Sequence, residues 1–93
     1  MKHSKEQVNR WVRLVQLMHA FNPSIFAPEE IAQLEAVEGW KWETFTCSKP
    51  EALLEATILA RQVFGLSVHH RNGLGIDELR IRDCIPYGLS WVI

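Results

Sequence analysis

The chain has 93 residues, 47% of them hydrophobic and 23% charged, with a formal net charge of −1. That length allows one domain burying roughly 60–65% of its extended surface, and that composition excludes a disordered chain. No apolar run approaches the roughly 18 residues that span a bilayer, and the start "MKHSKEQVNRW" has no hydrophobic segment for a signal peptide.

The expected compartment is therefore cytoplasmic, without membrane association. Cys47 and Cys84 belong to no C-x-x-C pair, so the reading is two free thiols in a reducing compartment, with a single disulfide between them as the alternative.

In chain order, Ser4 with Gln7 three residues on is a capping box that starts a helix at about Lys5. At about 100° per residue, Val8, Trp11, Val12, Leu14, Val15, Met18 and Phe21 fill one arc. Lys5, Asn9, Arg10, Arg13 and Gln16 fill the other, and Asn22-Pro23 ends the helix. A second, shorter helix follows a loop. Pro28 fits its first turn, Glu29 and Glu30 suit its positive end, and Gly39 serves as C-terminal cap. Its inward positions are Ile31, Leu34 and Val37, and the two helices read as an αα-hairpin over 1–39.

"WKWETFTC" is aromatic and β-branched and predicts a strand, with Trp40 and Trp42 on one face and Phe45 on the other. Ser48 with Glu51 is a second capping box, opening a helix that runs to about Phe64 and stops at Gly65. Ala52, Leu53, Ala56, Leu59, Ala60, Val63 and Phe64 form its apolar arc, whose alanines suit close packing on a sheet. Leu54 and Ile58 lie opposite, among Glu51, Glu55, Arg61 and Gln62, either sandwiched under other elements or facing a partner.

"LSVHHR" alternates, Asn72-Gly73 is a hairpin signal, and "DELRIRD" places Leu79 and Ile81 on one face with Arg80 and Arg82 on the other. Ile85-Pro86-Tyr87-Gly88 reads as a turn and "LSWVI" as a last strand. The expected fold is thus α+β, a single domain over 1–93 in the order α-α-β-α-β-β-β. A small mixed or antiparallel sheet of about four strands carries the helices on one face, and 40–93 forms the β-α-β-β-β unit.

Charge is split along the chain. Residues 1–21 carry Lys2, Lys5, Arg10 and Arg13 against Glu6, whereas 22–57 hold seven glutamates against Lys41 and Lys49. A two-signed surface of this kind suits self-association or a protein partner. His69 and His70 are neighbours on a strand and point to opposite faces, so they do not chelate one metal. His70 and His19 read as partly buried histidines satisfied by hydrogen bonds. No phosphate loop, nucleophile elbow or H-E-x-x-H is present. The expectation is a non-enzyme with no cofactor and no metal.

The candidate partner-binding residues are His69, Arg71, Arg80 and Arg82, gathered on the open sheet face, where Arg forks suit carboxylate or phosphate. As surface charges they should contribute little to folding. Leu54, Ile58, Arg10 and Arg13 are secondary interface candidates. The leading functional reading is a small binding protein acting on a protein or ribonucleoprotein, as adaptor, regulator or inhibitor. Phage anti-defence proteins of the anti-CRISPR type share this size and lack of motifs. The alternatives are a single-stranded nucleic-acid binder using the arginine face, and a small enzyme or metal protein. A homodimer is compatible with the charge split.

Overall fold

The computed structural model describes residues 4–65, 82, 83 and 85–92. Their elements are helix α1 (Lys5–Phe21), a 3₁₀ turn (Pro23–Ile25), helix α2 (Pro28–Glu35), helix α3 (Lys49–Phe64) and a 3₁₀ helix (Ile85–Trp91). Each helix starts where a local donor is satisfied. Ser4 Oγ accepts from Gln7 N–H at 3.2 Å, and Ser48 Oγ accepts from Glu51 N–H at 3.4 Å. At α2 the N-cap is Ala27, which has no side-chain oxygen, so Glu30 Oε1 reaches back to the Ala27 N–H at 3.0 Å. Gln7 does not reach back in this way: its Oε1 accepts from Arg10 at 2.8 Å, and its Nε2 donates to the Gln62 carbonyl on α3 at 3.3 Å. Gly65 ends α3 at φ +68, a left-handed conformation that glycine adopts without Cβ strain.

The antiparallel partner of α1 is α3, not α2, so the helical hairpin expected over 1–39 is corrected. Gln7 meets Gln62 near one end, Arg13 meets Glu55 midway, and Phe21 lies near Lys49 at the other end. The side chains of Ala52, Ala56 and Ala60 are buried here, and their small size lets two helices approach closely. One hydrophobic cluster joins Trp11, Leu14, Val15 and Met18 of α1 to Phe26, Leu34, Ala56, Ala60 and Ile85. Trp11 is fully buried, and its Nε1 donates to the Ile85 carbonyl at 2.9 Å, tying the C-terminal 3₁₀ helix to α1.

The α+β expectation is overturned: among the described residues there are helices and no strand. Residues 41–46 have no regular secondary structure, and among the described residues they have no neighbouring strand. The side chain of Gln16 supplies the bonds that a strand neighbour would, with Nε2 donating to Lys41 C=O at 2.8 Å and Oε1 accepting from Glu43 N–H at 2.9 Å. Gln16 is therefore buried and belongs to the packed side of α1, not to its solvent arc. Residues 89–92 of the predicted last strand are not extended either, and Ile93 lies outside the described residues. Leu89–Trp91 complete the 3₁₀ helix that begins at the predicted turn, and Trp91 packs beside Trp11 and Phe64. Arg82 and Asp83 are helical, against the extended conformation expected for them. The predicted strands and hairpin over 66–81 lie outside the described residues.

Candidate functional site

His69, Arg71 and Arg80 fall outside the described residues, so the arginine face is represented by Arg82 alone. Its guanidinium is turned into the molecule. Nε donates to Ile25 C=O at 3.1 Å, and an Nη donates to Glu30 Oε1 at 2.6 Å. The same carboxylate oxygen accepts from Ala27 N–H, so Arg82 locks the loop before α2 and the cap of α2 together.

The basic side of α1 is also engaged. Arg10 donates to Gln7 Oε1 at 2.8 Å and lies 3.9 Å from Glu6. Arg13 grips Glu55 of α3 with two bonds, Nε at 2.6 Å and an Nη at 3.2 Å, and its guanidinium lies 5.0 Å from the centre of the Phe45 ring. Hydrogen bonding to Arg13 holds the Glu55 carboxyl below its ordinary range, against the opposing effect of burial. Both partners remain half exposed, so the pair orients α1 on α3 and contributes less than about 1 kcal/mol.

A second constellation lies around His19. Its ring stacks on Trp42 with centroids 3.8 Å apart and 17° between planes, and Phe26 flanks it at 5.9 Å. Trp42 Nε1 donates to Glu35 at 2.9 Å, and Trp40 meets Trp42 edge-on at 5.2 Å. Burial lowers the His19 pKa, with the charge of Glu35 acting in the opposite sense. His19 is thus held by stacking, where a hydrogen bond was expected. The cluster offers no nucleophile, and its one carboxylate, Glu35, accepts from Trp42, so it reads as an aromatic clasp between α1 and residues 40–42.

Cys47 is a free thiol, and among the described residues no three His, Cys, Asp or Glu side chains could hold a metal ion. An open groove of about 480 Å³ is lined by Gln33, Ala36, Val37, Glu38 and Val92, which supply one acid and no other catalytic group. Among the described residues no helix is long and apolar enough to cross a membrane.

The remaining feature is the outer side of α3. Leu54 is 63% exposed and Ile58 49%, one turn apart on the side away from the buried alanines. Among the described residues no other element covers them. Glu51 lies one turn before them and Arg61 one turn after, both exposed, and neither has an ion-pair partner among the described residues. Compared with protein-family models, curated proteins and solved structures, the chain matches none of them. The geometry of α3 therefore carries the functional argument by itself. Leu54 and Ile58 were legible as interface candidates from their position in the helical period. The significance of Glu51 and Arg61 as the charged ends of the same stripe was not drawn from the sequence, although the spacing 51, 54, 58, 61 contains it. Tyr87, 72% exposed on the 3₁₀ helix, is a further apolar surface residue that the turn reading had passed over.

Proposed function

We propose that this chain is a non-enzymatic binding protein that docks on another macromolecule through the outer side of α3. One observation carries the reading: Leu54 and Ile58 stand exposed on a helix whose opposite side is filled by small buried alanines. Burying such residues at an interface gains about 25 cal/mol for each Å² of apolar surface removed from water. A helix with aliphatic anchors at i and i+4 is a recurrent recognition element. The three described arginines among the earlier candidates, Arg10, Arg13 and Arg82, are already committed to partners within the chain, so phosphate recognition draws no support from them.

The test is site-specific photo-crosslinking from position 58 in cells, compared with the same chain carrying Leu54→Ser. Serine at this exposed site leaves the fold near its parent stability, which circular dichroism checks. A defined crosslinked species that disappears with Leu54→Ser supports the reading. An identical crosslinking profile in both chains overturns it. Crosslinks to nucleic acid alone, lost steeply as salt rises, would replace it with the nucleic-acid reading.

A further inference from the structure

We infer that the macromolecule docking on α3 is a second copy of this chain, with the two α3 helices packed antiparallel about a two-fold axis. This rests on the reading that the outer side of α3 is a docking surface. The stripe runs Glu51, Leu54, Ile58, Arg61, with acid at its N-terminal end, base at its C-terminal end and two aliphatics between. A two-fold axis at the level of Ala56 places Leu54 of each chain opposite Ile58 of the other. The same operation brings each Glu51 opposite an Arg61, at both ends of the contact. The stripe is therefore its own complement, which is what an isologous interface requires.

The charges also select the direction. Parallel helices would set Glu51 beside Glu51 and Arg61 beside Arg61, and like pairs repel. Glu55, the other acid near the stripe, is already matched by Arg13 within the chain and adds little repulsion. Two aliphatic anchors per chain make a contact at the small end of the range for specific interfaces. The dimer is accordingly weak, with a Kd on the order of 10–100 µM, and it responds to salt through its two ion pairs.

Sedimentation equilibrium of the full chain from about 10 µM to about 1 mM tests this. The parent should show a monomer–dimer equilibrium. Glu51→Arg and Arg61→Glu should each weaken it at least tenfold, about 1.4 kcal/mol. An equimolar mixture of these two variants should associate as the parent does, because each then meets the opposite charge at both ends. The double reversal Glu51→Arg/Arg61→Glu in one chain should restore self-association. Both positions of charge change, 51 and 61, carry exposed side chains, so folding, followed by circular dichroism, should be retained. A parent that stays monomeric throughout, or single variants that dimerise like the parent, would overturn the pairing. In that event, continued loss of the position-58 crosslink with Leu54→Ser would leave the docking reading standing with a different partner. Loss of both results would remove the two together.

Discussion

A Cβ on Gly88 would occupy the space of the Trp11 indole ring. Glycine is required there by close approach, since the 3₁₀ helix lies flat against a tryptophan whose Nε1 must reach the Ile85 carbonyl. Gly88→Ala should therefore cost about 1–3 kcal/mol, the usual range for overpacking a filled core. Urea denaturation measures it, and an unchanged midpoint would show that Trp11 does not fill the space beneath the C-terminal segment. His19 makes a different single-residue prediction. Burial against Trp42 and Phe26 lowers its pKa, and Glu35 is the charged group facing it in opposition. The unfolded chain then binds a proton that the folded chain resists. The stability from neutral His19 is fully present above the ordinary histidine value of about 6.5 and is lost as pH falls through the lowered folded value. Glu55 also has a depressed pKa, but its contribution is lost only at carboxylate pH, so the two windows separate. His19→Phe should keep the stack and flatten the fall in stability as pH drops below the ordinary histidine value. Equal pH slopes in both chains would show that His19 does not titrate in the stack.

At the scale of elements, the backbone of segment 40–47 is hydrogen-bonded to α1 through one amide side chain, beside the His19–Trp42 stack. Gln16 replaces a strand neighbour by bonding Lys41 C=O and Glu43 N–H together. Gln16→Leu keeps the volume and removes both bonds. Lys41 and Glu43 are exposed residues whose freed backbone groups can turn to water, so the cost should be about 1–2 kcal/mol, near the net value of two ordinary hydrogen bonds. The sharper readout is amide exchange. Protection of the Glu43 N–H should fall while that of the α3 interior is kept. Retained protection at Glu43 would show that other contacts hold the segment.

At the scale of the whole molecule, Arg82 joins distant parts of the chain. It bonds Ile25 C=O and Glu30 at a separation of more than fifty residues, and Glu30 in turn caps α2. A freely solvated arginine would be dispensable, whereas a half-buried one with charge-assisted bonds is not. Arg82→Ala should destabilise by about 1–3 kcal/mol, leaving Glu30 partly buried without its cation. Thermal or urea melts check this, and a midpoint equal to the parent's would place Arg82 back among the surface charges.

The sequence by itself determined what local chemistry decides. Ser4, Ser48, Pro28 and Gly65 mark helix ends because a cap is completed within three or four residues. Trp11 and the alanines of α3 were legible as packing positions because helical period assigns them to one side. What those positions pack against was decided only in three dimensions. The alanines bury themselves against α1, not a sheet, because another helix is the surface that reaches them. "WKWETF" has strand propensity, but propensity states only that a segment accepts an extended backbone, and its partner here is Gln16 from far along the chain. "LSWVI" is too short for periodicity to separate a strand from a 3₁₀ helix, and the bond from Trp11 to Ile85 together with the bare backbone of Gly88 decides for the helix. Leu54 and Ile58 stood between burial and exposure in the sequence for the same reason: a helix with two apolar sides does not say which side its own chain will cover.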